Sequence, residues 1–267
     1  IQGDRLIWRP ALSTMVINQR PSALNRNSKL VSNSLTFQQD SGQLLFTGPT
    51  KLSRWEKNYS STIDPQTLIT AGHGKWNLNS GTIAAVGPII ANQSNGRQLT
   101  AVSMQGNTTK NYLDLKAPVQ FKLEDDKAVV DAGETRWDFE QNQLSSKAPV
   151  SASLTKGEVH GIGFIIDIPG NTLTISNSCK VAQPDKNLSA NRCSLNWKTD
   201  VLTAVGHVNL KESGHEQVKR ADQMQGEFNP EGSIRFSPPQ NRVKTQIKLE
   251  FGKNKDINQK RPSQVQF

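Results

Sequence analysis

Apolar and polar residues alternate along most of the chain, the period of a strand with one buried face and one wet face. Helical spacing of i, i+3, i+4 is not sustained beyond about ten residues anywhere. The pattern therefore predicts an all-β chain. The segment from Phe37 to Pro49 recurs as Trp76 to Pro88, Trp137 to Pro149, Ile166 to Ser178 and Leu195 to His207. In each copy an apolar anchor is followed seven residues later by a second: Phe37 and Leu44, Trp76 and Ile83, Trp137 and Leu144, Ile166 and Leu173, Leu195 and Leu202. Four residues further on stands a small or turn residue: Gly48, Gly87, Ala148, Asn177 or Gly206. A partial copy runs from Leu113 to Pro118, and Phe228 to Pro238 reads as a degraded last one.

The closing positions Pro49, Pro88, Pro118, Pro149, Ser178, His207 and Pro238 advance by 39, 30, 31, 29, 29 and 31 residues. The unit is close to 30 residues, with an insertion in the first gap placed around Trp55 to Pro65. Between the anchors sit Ser41-Gly42, Ser80-Gly81, Gln141-Asn142, Pro169-Gly170 and Thr199-Asp200, residues that turn a chain at low cost. Each unit thus reads as strand, tight turn, strand, with Gly-Pro or Ala-Pro at a strand end or bulge. Alternation puts Trp76, Leu78, Ile83 and Ala85 on one face and Asn77, Asn79 and Thr82 on the other.

A stack of such hairpins buries its apolar face by folding over on itself, which predicts a long, narrow, V-shaped roll lined by the anchors. A parallel β-helix is the competing architecture, but its rungs are shorter and lack a hairpin turn at mid-repeat. The chain divides into N-terminal strands of the roll (1–34), the repeats (35–243), and a basic C-terminal strand and tail (244–267).

Composition narrows the picture. Of 267 residues 34% are apolar, 6% aromatic and 21% charged. Adding the 19 glycines raises the apolar share to about 41%, below the roughly 45–50% of an ordinary globular domain. Such a chain is mostly surface, yet too regularly patterned for disorder. The longest nearly uninterrupted apolar run, Thr82 to Ala91, is far short of the roughly 18 residues of a membrane span. The chain starts at Ile1 without an initiator Met or a leader, so any signal or anchor is expected to have been cut off or to lie upstream.

Lys plus Arg outnumber Asp plus Glu by 32 to 23, a formal charge of +9. That surplus suits an anionic partner, or simply a soluble basic surface. No run interleaves the cations with aromatics, so nucleic acid is not the expected partner. The two cysteines, Cys179 and Cys193, enclose a polar segment containing Pro184, Asp185 and Asn191. They read as one disulfide in an oxidising compartment, or alternatively as two buried thiols.

No H-E-x-x-H, G-x-S-x-G, G-x-G-x-x-G or P-loop occurs. His73, His160, His207 and His215 are scattered, and neither Cys has a His at metal spacing, so no metal and no cofactor are expected. Glu124-Asp125-Asp126 could be imagined as glycosidase carboxylates, but between Lys122 and Lys127 they read as charges of a solvated turn. The chain is expected not to be an enzyme.

Units such as Gly74-Lys-Trp-Asn-Leu-Asn-Ser-Gly-Thr-Ile-Ala-Ala-Val-Gly-Pro-Ile and Leu195-Asn-Trp-Lys-Thr-Asp-Val-Leu-Thr-Ala-Val-Gly-His-Val resemble the repeats of the OstA-like lipopolysaccharide-transport family, which comprises LptA, LptC and the periplasmic part of LptD. The resemblance covers roughly Leu35 to Val243. Within the family, the length and the divergent N-terminal segment look most like the longer LptC type seen in cyanobacteria.

The resemblance implies an elongated, open β-jellyroll in the periplasm whose groove holds lipid acyl chains. It further implies tethering to the inner membrane by one N-terminal helix absent from this chain. Lipopolysaccharide would come from the inner-membrane Lpt ABC transporter and pass to an LptA- or LptD-type jellyroll by edge-to-edge strand pairing.

The anchors and their neighbours are the candidate lipid-groove residues: Phe37, Leu44, Phe46, Trp76, Leu78, Ile83, Trp137, Phe139, Leu144, Ile166, Leu173, Ile175, Leu195, Trp197 and Leu202. A stripe of aromatics and aliphatics serves equally well as plain core. The other function left open by the residues is a secreted glycan-binding or glycan-cleaving β-solenoid, which would display surface carboxylates and exposed aromatics.

Overall fold

The computed structural model describes residues 1–94, 96–123, 128–212, 217–228, 234–237 and 244–247. The acidic triplet Glu124–Asp126, His215, the closing position Pro238 and the basic tail beyond residue 247 lie outside them. Among the described residues there are twenty-four antiparallel strands and one short 3-10 turn (Pro10–Leu12). The fold is the elongated, all-β jellyroll that the repeat predicts.

The i, i+7 anchors are cross-strand neighbours. Phe37 faces Leu44, Trp76 faces Ile83, Trp137 faces Leu144, Ile166 faces Leu173, and Leu195 faces Leu202. The second anchor of one hairpin then pairs with the first of the next, so a single ladder crosses the sheet. It runs Trp8, Met15, Phe37, Leu44, Trp76, Ile83, Gly106, Leu113, Trp137, Leu144, Ile166, Leu173, Leu195, Leu202, Gly226, Ile234. At about 4.8 Å per strand this wall is roughly 70 Å long.

Each 30-residue unit contains a second hairpin that the repeat did not reveal. After the small residue following the second anchor, the chain turns a corner into a second wall, makes a hairpin there and returns. Where the strand is continuous, as in Thr82–Gln93, Gln143–Leu154 and Val201–Glu212, the corner is a register shift. Gly48, Gly87 and Gly206 take left-handed φ values of 81°, 98° and 79° there, and Ser178 and His207 are left-handed as well. Only glycine adopts that geometry without strain. At Gly206 a Cβ would also come within 2.6 Å of the Asn191 side chain.

The second wall has its own inner row: Ala23, Leu30, Leu52, Ile69, Ala91, Leu99, Phe121, Val130, Ala152, Val159, Val181, Leu188 and Leu210. These are mostly smaller than the residues of the first wall. Both rows belong to one continuous core, so small side chains of one wall meet the large ones of the other. The predicted insertion is the 55–66 connection of this wall, pinned by Trp55, whose Nε1 donates to the Ile63 carbonyl at 2.7 Å.

First-wall turns are built alike. Gly42, Gly81, Asn111, Asn142, Asn171 and Asp200 are all left-handed and all stand two residues before an anchor. At the fifth turn the left-handed residue is Asn171, one place beyond the expected Pro169-Gly170 pair. Glycine, asparagine and aspartate are the residue types that tolerate this conformation. Successive turns are tied by backbone bonds: Leu78 N to Gly42 O, Thr108 N to Gly81 O, Phe139 N to Asn111 O, and Trp197 N to Asn171 O.

An asparagine ladder reinforces them. Asn77, Asn107 and Asn196 donate to the Ser41, Ser80 and Gly170 carbonyls of the preceding turn at 2.9, 3.0 and 3.1 Å. Asn77, expected on the outward face, is therefore engaged in this ladder, as is Asn196, while Thr82 is exposed. Asn107 is 5% exposed and also accepts from the Thr109 and Lys110 amides. We expect Asn107→Ala to cost about 2 kcal/mol, because three bonds made by a buried side chain are lost. Asn107→Asp keeps the acceptor and loses less; urea denaturation of both variants checks the order.

Candidate functional site: interior and mouth of the roll

Every candidate groove residue lies between the two walls. Leu44, Phe46, Trp76, Ile83, Trp137, Leu144, Ile166, Leu173, Ile175, Leu195 and Leu202 are buried, none above 5% exposed. Phe37, Leu78, Phe139 and Trp197 are half-buried and pack against the same core. Alternation places the first group by itself, since inward positions of a closed roll leave water entirely. Leu78, Phe139 and Trp197 differ because each stands two residues past an anchor, at the turn tips of the first wall, where the interior meets solvent.

Sequence reasoning missed the opposite lining: Leu52, Ile69, Leu99, Phe121, Val130, Val159, Val181, Leu188 and Leu210, all buried. A usable signal was present. Leu30 and Leu52, Ile69 and Ala91, Leu99 and Phe121, Val130 and Ala152, Val159 and Val181, Leu188 and Leu210 are each 22 residues apart. That interval spans one complete first-wall hairpin of constant length. The seven-residue spacing recurs in this wall only at Ala23 and Leu30, Ala152 and Val159, and Val181 and Leu188; the other cross-strand pairs are wider, because the turns of this wall vary in length.

Corners close one long side of the roll, and on the other side the turn tips of the two walls meet. This side is the mouth, and polar contacts among the described residues bridge it near its start, midway and towards its C-terminal end. Near its start Asn25 Nδ2 donates to the Leu78 carbonyl at 3.0 Å. Further along, Arg54 Nη2 donates to Asn111 Oδ1 at 2.6 Å, and the guanidinium lies 4.4 Å from the Phe139 ring centroid. Towards the C-terminal end Lys156 Nζ pairs with Asp200 Oδ2 at 2.5 Å. Between the walls' tips at Arg54 is a cavity of about 400 Å³ whose lining includes Gln66, Thr67, Gln93, Phe139 and Asn142.

Phe139 is held on both sides, with Trp137 at 4.5 Å between centroids and Arg54 against it. Trp137 Nε1 is buried without an acceptor. Burial lowers the Arg54 pKa to about 10, so the group remains cationic at neutral pH.

Cys179 and Cys193 are joined in a disulfide with Cα atoms 5.9 Å apart, and both residues are buried. Among the described histidines, His73 is exposed at a corner, His207 Nδ1 lies 3.1 Å from Asn191 Nδ2, and His160 Nε2 is 3.2 Å from Glu158 Oε2. Among the described residues no three His, Cys, Asp or Glu side chains cluster to hold a metal, and no helix is long and apolar enough to cross a membrane.

No protein-family model matches the chain, and no characterised protein matches its sequence. One solved structure with a detectable likeness is LptH of Pseudomonas aeruginosa, described as the LptA-homologous periplasmic component of lipopolysaccharide transport. The alignment covers 68% of this chain and 95% of LptH at 11% identity, with a TM-score of 0.24. A superposition that loose carries no weight for function, which has to be argued from the roll itself.

Proposed function

We propose that the chain is a non-enzymatic lipid conduit of the periplasm, a lipopolysaccharide-transport jellyroll of the LptC type. In this reading an N-terminal helix upstream tethers it to the inner membrane. It receives lipopolysaccharide from the Lpt ABC transporter and passes it to an LptA- or LptD-type roll. The observation that carries the reading is the apolar ladder crossing sixteen strands without a charged residue, faced by a second apolar row.

Moving one acyl CH₂ from water into such an interior is worth about 0.8 kcal/mol, so a twelve-carbon chain gains on the order of 10 kcal/mol at most. A multi-chain lipid needs continuous shelter to cross an aqueous space, and a row of this length supplies it. The half-buried Leu78, Phe139 and Trp197 at the mouth are the positions where a chain would first leave water.

The N-terminal end supports hand-over between rolls. The strand Arg5–Arg9 pairs on one side with Thr14–Gln19 and is the outermost strand of the first wall. Leu6, Trp8 and Leu12 near this edge are 52%, 56% and 67% exposed. An open edge beside exposed apolar side chains is a template for strand pairing with a neighbour. A glycan-directed solenoid would instead display its aromatics, whereas Trp55, Trp76 and Trp137 are buried, Trp197 is half-buried, and the exposed Trp8 stands at the open strand edge.

Photo-crosslinking residues at Leu78, Leu144 and Trp197 are expected to capture lipopolysaccharide, with Thr82 as the outward control. Labelling from Thr82 alone would sink the reading. So would native mass spectrometry that finds saturable binding of polysaccharides and none of lipopolysaccharide.

A further inference from the structure

The inner face of the second wall is apolar through most of its length but changes character at the mouth near its N-terminal end. There Ser28, Arg54, Thr67, Gln93 and Arg97 follow one another across neighbouring strands at the inner rim. Ser28, Arg54, Thr67 and Arg97 are all buried, with Arg54 at 9% exposure. At the equivalent rim positions further along stand Leu123, Ala128 and Leu154, two of them buried and the third packed on the core. The rim turns polar again at Gln183, Lys186 and Glu212, which are only half-buried, so among the described rim positions a buried polar strip is confined to the part of the roll that carries the 55–66 insertion.

Arg54 is the unusual member. Its described partners are both uncharged, the Asn111 amide oxygen and the Phe139 ring. Burial is the cause that lowers its pKa, with no carboxylate offsetting it. A buried cation without a counter-charge is among the costlier arrangements in a protein interior and is relieved by an anion. Beside the cavity, the Trp137 indole N–H, packed against Phe139, has no acceptor among the described residues.

We propose that the cavity at Arg54 is an anion-binding position at the mouth of the roll, which takes the phosphate monoester of an acylated ligand while its chains lie between the walls. The guanidinium fork matches phosphate oxygens, and the ring of Phe139 and the Asn111 oxygen hold it in place so that little side-chain freedom is lost on binding. Glu56 and Glu140 also line the cavity, but both are exposed, and Glu56 is engaged with Gln66 Nε2 at 2.9 Å. Solvent screens carboxylates in that position far more than it screens a buried guanidinium.

The site deepens the lipid-conduit reading and rests on it. The experiment measures binding of four probes by the full chain: a phosphorylated lipid A, the same lipid dephosphorylated, the acyl-free phosphorylated disaccharide, and inorganic phosphate. The wild type is expected to bind the phosphorylated lipid at least tenfold tighter than the dephosphorylated one. Arg54→Gln is expected to erase that difference while leaving the dephosphorylated lipid within twofold, and Arg54→Lys to restore part of it. The Arg54 Nε–H resonance is expected to shift with the disaccharide, and with inorganic phosphate only at much higher concentration.

Equal affinity of the wild type for the two lipids overturns the site while the conduit stands. Absence of binding to either lipid overturns both. If phosphate alone saturates the site as well as the disaccharide does, the position is one for free phosphate, and its assignment to a lipid headgroup fails. Should Arg54→Gln not fold, the wild-type preference and the Arg54 resonance still decide.

Discussion

A covalent bridge between positions 156 and 200 is expected to stop lipid loading. Lys156 lies in a second-wall turn and Asp200 in a first-wall turn, and their 2.5 Å ion pair is one of the contacts that join the tips. Both side chains are about 40% exposed (38% and 42%), so the pair itself contributes well under 1 kcal/mol and yields easily. Lys156→Ala alone therefore leaves stability nearly unchanged.

A covalent link does not yield. An acyl chain that enters sideways has to part the tips, and the corner side is closed by continuous backbone. The described residues contain no free cysteine, so Lys156→Cys with Asp200→Cys can be joined by a short cleavable bismaleimide. Lipid uptake by the joined protein is expected to fall at least tenfold and to return when the linker is cleaved. Each single cysteine variant, alkylated, is expected to load normally. Unchanged uptake by the joined protein would show that lipid enters along the roll axis from an open end, and that the mouth plays no part.

Trp76→Ala is expected to be the most damaging single substitution in stability. Trp76 is fully buried, lies between Leu44 and Ile83 in the first-wall ladder, and donates its indole N–H to Thr108 Oγ1 at 3.2 Å. Removing a buried tryptophan costs roughly 3–5 kcal/mol through lost transfer energy and the cavity left behind. For a chain of this size that lowers the melting temperature by roughly 10 °C. Thr108 Oγ1 still donates to the Gly81 carbonyl, so the polar loss is small, and Trp76→Phe is expected to recover most of the stability.

The same pair of variants separates core from groove at this position. A lipid-contacting Trp76 would show reduced lipid capture with an unchanged melting temperature. A core Trp76 shows the reverse, and the complete burial of the ring favours that outcome.

Much of the first wall's interior row was legible because it is written in local intervals. Seven residues between Trp76 and Ile83 is the separation of a cross-strand pair flanking a tight turn, and a glycine, asparagine or aspartate two places before the anchor marks the left-handed residue. Repeated copies made those intervals visible without an alignment. The second wall stayed hidden because its hairpins differ in length, from the short turn before Gly157 to the long 55–66 connection. Its regular interval of 22 residues crosses an entire first-wall hairpin and is seen only when one knows what to skip.

Arg54 was not legible at all. Nothing near it in the chain distinguishes it from the exposed arginines, and its burial comes from Asn111 and Phe139, more than fifty residues away.

Alternation and turn chemistry, read from the chain alone, determined an all-β roll with one apolar face and named the residues on that face. They did so because each depends on neighbours a few positions apart. Where the second wall lies, and how its tips meet those of the first, was decided by tertiary structure alone. The contacts Asn25 to Leu78, Arg54 to Asn111 and Lys156 to Asp200 join residues 44 to 57 apart. Alternation states which side chains leave water, but the surface they are buried against depends on how the whole sheet folds at its corners.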